Sequence, residues 1–162
     1  MTLPNFLIIG AMKAGTTALY HTLNQHPQIY MSPVKEPHFF SFVGEKEVPY
    51  PTIVTEDEAY QNLFADVSDE RAIGEASPSY LVHPKAPSNI KQYIPDARLV
   101  AILRNPIDRA YSHYKHQVQA PAGVRALHGD VRLHPSPRSG RGGQRALHCR
   151  RRTRLQLTLY DR

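Results

Sequence analysis

Phe6-Leu7-Ile8-Ile9-Gly10-Ala11-Met12-Lys13-Ala14-Gly15-Thr16-Thr17 decides the fold of this chain. Phe6 to Ile9 is an unbroken apolar run with no polar alternation, the pattern of a strand covered on both faces, as in a parallel sheet. Gly10 ends the run, and Thr16 to Asn24 continues with helical character. The spacing of Gly10 and Gly15 between the two is that of a phosphate-binding loop. In such a loop, backbone N–H groups and the N-terminus of the next helix cradle an anion. A nucleoside-triphosphatase loop needs lysine directly after its second glycine. Here Thr16 takes that place and the lysine lies inside the loop, at Lys13. That displacement argues against a kinase. What remains is an anion cradle with an ammonium at Lys13, backbone at Ala14 and Gly15, and hydroxyls at Thr16 and Thr17.

Outward from the loop, strands and helices alternate. Leu99 to Leu103 is the clearest strand, and Pro106 at a first helical position opens a helix to Gln117. Ile29-Tyr30-Met31 and Ala72 to Glu75 are shorter strand candidates. Glu56 to Phe64 reads as a helix with Thr55 as its N-cap and acids in its first turn. Pro84 to Tyr93 reads as another, stopped by Pro95. The alternation predicts an α/β fold whose parallel sheet is flanked by helices on both faces. In such sheets ligands collect at the carboxyl ends of strands. Arg104 leaves the strongest strand there, and Ser112 lies on the helix that follows. A planar fork of donors from Arg104 and a hydroxyl from Ser112 suit a second phosphate.

At 162 residues the chain suits one domain. Its formal charge of +6 is unevenly spread. Residues 1–118 carry ten basic and twelve acidic side chains, whereas residues 119–162 carry ten arginines, no lysine, and only Asp130 and Asp161 as acids. A nucleic-acid partner would rest on the tail alone, and none is expected. No run approaches the roughly 18–20 apolar residues of a membrane span. The N-terminus lacks a basic leader, which points to a cytoplasmic protein. Cys149, without a second cysteine, makes neither an internal disulfide nor a zinc site by itself. After Val118 apolar periodicity fades and Arg, Gly, Pro and His dominate. The stretch reads either as a disordered basic tail or as the product of a shifted reading frame, and the abruptness of the change favours the second. The expected division is therefore a core over 1–118 and a tail over 119–162. Leu155, Leu157 and Leu159 alternate like a strand able to pair onto an open sheet edge.

Four segments together carry a family resemblance. The Phe6 to Thr17 run, Lys35-Glu36-Pro37-His38-Phe39-Phe40, Gly74-Glu75-Ala76-Ser77-Pro78-Ser79-Tyr80, and Arg104 to Tyr114 resemble sulfotransferases, in particular the heparan-sulfate type and its bacterial relatives. The resemblance implies a P-loop nucleotide-kinase-like fold, here incomplete at the C-terminus because family domains run longer. It implies 3′-phosphoadenosine-5′-phosphosulfate as donor and no metal. Lys13, Thr16 and Thr17 would meet the 5′-phosphosulfate, with Ala14 and Gly15 in the same donor loop, and Arg104 and Ser112 would meet the 3′-phosphate. A carboxylate is what sulfuryl transfer to a hydroxyl or amine needs as general base, and the family places that role at Glu36. His38 is the competing base. Glu75 would position either the acceptor or backbone. The acceptor would be a small molecule or a carbohydrate, although some eukaryotic relatives have lysine where Ala76 stands here. The alternative is an inactive donor-binding fragment.

Overall fold

The computed structural model describes residues 2–119 and the strand 156–160. Strands β1 (Phe6–Gly10), β2 (Ile29–Met31), β3 (Ala72–Ala76), β4 (Arg98–Leu103) and β5 (Gln156–Tyr160) form one sheet in the order β2-β3-β1-β4-β5. The first four run parallel, with Leu7 opposite both Glu75 and Leu99. Helices α1 (Thr16–Leu23), α2 (Phe39–Phe42), α3 (Asp57–Asn62), α4 (Ala86–Tyr93) and α5 (Pro106–Gln119) connect them, with a 3₁₀ turn over Pro78–Leu81.

Successive strand residues point to opposite faces, so the apolar run of β1 feeds two cores. Phe6 and Ile8 join Tyr20 of α1, Met31, Ala76 and Val100 on one face. Leu7 joins Phe39, Phe40, Tyr60, Phe64, Tyr80 and Ile90 on the other. This second core is largely aromatic. Phe39 stacks on Tyr60 with ring centroids 4.1 Å apart, and Phe40 meets Tyr60 and Tyr80 edge to face at 5.3 and 5.5 Å. Such pairs add about 0.5–1.5 kcal/mol each beyond the area they bury. Gly74 explains why β3 looked weak in the sequence. A Cβ there would stand 2.3 Å from the Phe6 ring, so the strand gives up a side chain where the tip of that ring takes the space.

Several expectations shift in detail. Thr55 does not cap α3. The helix begins at Asp57, Glu56 holds the N-cap position without a side-chain cap bond, and Thr55 Oγ1 lies 3.5 Å from Glu56 Oε1. Asp57 and Glu58 nevertheless fill the first turn, where their charge suits the helix dipole. The α4 helix starts two residues later than Pro84, with Pro87 in its first turn. Helix α2 and the 3₁₀ turn are too short for any periodic signal and form where aromatic side chains pack. The sheet is also not wholly parallel, because β5 pairs antiparallel with β4, placing Leu157 opposite Ile102 and Leu159 opposite Val100. The alternation of leucines marked this strand. Residues 120–155, with Cys149 and most of the expected tail, lie outside the described residues. No helix among the described residues is long and apolar enough to cross a membrane.

Candidate active site

The carboxyl ends of β1 and β4, side by side in the sheet, open onto a cavity of about 580 Å³. Met12, Lys13, Gly15, Thr16, Thr17, Ala18, Glu36, Arg104 and Ser112 are among its lining residues. Seven of the eight residues expected at the site from sequence therefore face one space. Ala14 is the exception. It is buried, and its N–H donates to the Ala11 carbonyl at 3.1 Å, so its amide serves the turn.

Local geometry explains the loop. Gly15 sits at φ 114°, a conformation that L side chains rarely adopt, and no side chain caps α1 behind it. The first-turn amides of the helix thus meet the cavity instead of a cap, as an anion site requires. Lys13 holds φ 66° although it is not glycine. Its carbonyl accepts from Arg104 Nη1 at 3.2 Å, which ties the loop to the end of β4, and Ala11 N–H donates to the Ile102 carbonyl at 2.9 Å. Arg104 Nε is buried and has no hydrogen-bond partner among the described residues. An orphaned guanidinium donor beside an anion cradle fits a ligand phosphate.

Glu36 reaches the same cavity from the opposite side. Its N–H donates to the Ala76 carbonyl at 3.1 Å, so the chain beyond β2 stays alongside β3. The aromatic pair Phe39-Phe40 anchors the far end in the core, with both rings fully buried. Glu36 (φ 62°) and His38 (φ 55°) are both left-handed, a strained backbone for residues with a Cβ. Among the described residues, the non-glycine positions with positive φ are Lys13, Glu36 and His38. All three lie at or beside this cavity.

Charge in the site is arranged around one carboxylate. Lys35 Nζ is bonded to Glu36 Oε1, and His38 Nε2 stands 3.6 Å from Glu36 Oε2. Burial pushes the Glu36 carboxyl up, but the contacts with His38 and Lys35 outweigh it and hold the carboxyl at about 2. Glu36 is thus ionised throughout the neutral range. Every other charged or titratable residue lining the cavity is basic: Lys13, Arg104, His21, His113 and His116. Such a wall favours a polyanion. Two of the three histidines carry a signal in the sequence. His21 lies four residues after Thr17 and His116 four after Ser112, one helical turn along the same face. Glu75 is fully buried and does not line the cavity, so it does not itself touch an acceptor there.

A model of the sulfotransferase family matches residues 4–151. The human heparan sulfate glucosamine 3-O-sulfotransferase 6 is 33% identical over 121 residues, 75% of this chain and 32% of its own length. A mouse bifunctional heparan sulfate N-deacetylase/N-sulfotransferase 4 is 37% identical over 131 residues, 76% of this chain and 14% of its own length. The chain thus spans a third or less of these relatives. The crystal structure of a sulfotransferase from Alicyclobacillus acidocaldarius is 42% identical with a TM-score of 0.65, over 74% of this chain and 51% of that one.

Proposed function

This chain belongs to the sulfotransferase family, and from that premise we propose that it binds 3′-phosphoadenosine-5′-phosphosulfate and passes its sulfuryl group to a hydroxyl or amine. The observation that carries the reading is the convergence of the Lys13 loop, the Arg104–Ser112 pair and the ionised Glu36 on one cavity. The donor supplies an activated sulfuryl group on a phosphate leaving group. The residues present fit it, since the α1 first turn and the orphaned Arg104 Nε offer donors to anions and only one lining residue is acidic.

Each side chain then has a task. Thr16, Thr17 and the Gly15 backbone bind and orient the 5′-phosphosulfate. Lys13 places its ammonium where negative charge grows on the leaving phosphate oxygen as the bond to sulfur breaks. Arg104 and Ser112 hold the 3′-phosphate. Glu36 orients the acceptor O–H or N–H in line with that bond and takes its proton as the new bond to sulfur forms. At about 2 its carboxylate is a weak base. That suffices if the proton moves late, because an oxygen or nitrogen already bonded to sulfur is strongly acidic. The acceptor class follows the relatives, whose names specify heparan sulfate glucosamine 3-O-sulfation and heparan sulfate N-sulfation, so amino sugars and their hydroxyls head the series.

A direct test supplies ³⁵S-labelled donor with a panel of amino sugars, heparan-type oligosaccharides, phenols and simple amines. Label transferred to one acceptor class, and lost on Lys13→Ala, is the expected result. Donor binding without transfer to any member would leave the donor-binding fragment as the better description.

A further inference from the structure

Ser77 Oγ donates to Glu75 Oε2 at 2.8 Å and accepts the His38 N–H at 3.0 Å, a two-bond path from a fully buried carboxyl to the active-site segment. We propose that Glu75 is a positioning residue for the acceptor side of the site: through Ser77 it fixes the left-handed backbone at His38 and so holds Glu36 against the cavity. The proposal rests on the reading of Glu36 as the base.

A carboxyl on the aromatic face of the sheet is costly to bury and persists only when satisfied. Glu75 is satisfied by groups that serve the loop. Tyr60 of α3 approaches Oε1 at 3.5 Å, Tyr80 of the 3₁₀ turn bonds the carboxyl, and Ser77 takes Oε2. Ser77 has one proton, and while that proton is committed to Glu75 the oxygen's lone pairs point to His38. The segment 36–38 is pinned from the same stretch at further points. Glu36 N–H meets the Ala76 carbonyl, and His38 Nδ1 lies 2.7 Å from Ser79 Oγ, itself 3.3 Å from Ser41 Oγ. Two left-handed residues within three positions need such over-determination, since each is a strained backbone for a residue with a Cβ. With the His38 N–H unpartnered the segment is free to relax, and the His38 ring with it. Glu36 then loses part of the field that keeps it ionised.

Glu75 itself titrates near neutrality. Burial pushes it up to about 7 against hydrogen bonds from Tyr80, Ser77 and Tyr60, and the charge of Glu36 raises it further. Below that value the carboxyl carries its own proton and above it only accepts, so a change there is felt first at Ser77 and next at the His38 amide.

The test uses the full chain, ¹³C- and ¹⁵N-labelled, unaltered and as Ser77→Ala, Ser77→Thr and Glu75→Gln. NMR follows the Glu36 carboxyl from about pH 1 upward and the His38 amide to about pH 9. Calorimetry with 3′-phosphoadenosine-5′-phosphate monitors the donor side. In Ser77→Ala the Glu36 midpoint should rise by about one pH unit or more while ligand affinity stays within about twofold. Ser77→Thr, which keeps the hydroxyl, should restore the low value. In the unaltered chain the Glu75 carboxyl should show an inflection near pH 7 that is repeated with the same midpoint at the His38 amide, and Glu75→Gln should remove that component, leaving only what the His38 ring contributes. An unmoved Glu36 midpoint in Ser77→Ala overturns the proposal, as does a His38 amide profile that Glu75→Gln leaves unchanged. A fall in ligand affinity matching the change at Glu36 also overturns it, because general loosening would then account for both. Normal turnover in Glu36→Gln would remove the base reading and leave these titrations as they are, so the two failures are told apart.

Discussion

Glu36→Gln is expected to lower turnover by about a hundredfold or more, the lower range for a positioned general base. Binding of 3′-phosphoadenosine-5′-phosphate should change by no more than about twofold, because the carboxylate lies on the acceptor side of the cavity. Gln keeps the shape and a hydrogen-bond acceptor but cannot take the proton, so the loss should appear in kcat. The direction of the pH dependence follows from the carboxyl's depressed value. Held at about 2 against an ordinary 4.5, Glu36 contributes stability that is complete above the ordinary value and fades as pH falls through the folded one. An acid limb of kcat/KM that belongs to Glu36 in the free protein therefore lies below about pH 3, outside the assay range. Parallel kinetics and calorimetry on the two proteins check both halves. Unimpaired turnover in Glu36→Gln would move the base to His38, the other proton acceptor beside the acceptor wall.

Lys13→Ala should be as damaging by a different route. On the proposed mechanism, losing the ammonium removes stabilisation of charge developing on the leaving phosphate oxygen, worth about a hundredfold to a thousandfold in turnover. Unlike the first substitution, it should also weaken binding of donor and product, since a fixed positive charge attracts the ground-state phosphate as well. Lys13 holds a left-handed backbone and its carbonyl anchors Arg104, and neither feature depends on the side chain. Alanine tolerates the backbone at similar cost. The comparison that matters is single-turnover rate against product affinity. A rate loss no larger than the affinity loss would mean that Lys13 binds uniformly and does not favour the transition state.

Much of this site was legible before any coordinates. The unbroken apolar run at Phe6–Ile9, the glycine spacing and the strand at Leu99 each carry a local signal strong enough to fix β1, the cradle and β4. Lys13, Thr16, Thr17, Arg104 and Ser112 followed from where those elements end. The rest depends on tertiary contacts that leave little trace in one dimension. Gly74 breaks the β3 pattern because the Phe6 ring needs its surface, and Phe39–Phe42 is helical only because its rings enter the aromatic core. The short path from Glu75 through Ser77 to His38 joins residues 39 positions apart in sequence and exists only once β3 lies beside the segment after β2. Thr55 misled for a simpler reason. Thr and Glu at adjacent positions both fit a helix start, and packing of Tyr60 sets the register. His21 and His116 were readable from helical spacing with Thr17 and Ser112, a pattern that becomes informative once those two are taken as ligand contacts.

The proposed function requires two anion sites, one at the Lys13 loop and one at Arg104 and Ser112, to share a ligand with phosphates at both the 5′ and 3′ positions. Calorimetric titration of the full chain with 3′-phosphoadenosine-5′-phosphate and with ATP, each repeated on Arg104→Ala, measures this directly. The 3′-phosphorylated nucleotide should bind at least about tenfold more tightly than ATP, a difference of roughly 1.4 kcal/mol, and Arg104→Ala should remove most of that preference. Equal or tighter binding of ATP, or a preference untouched by the loss of Arg104, would contradict it.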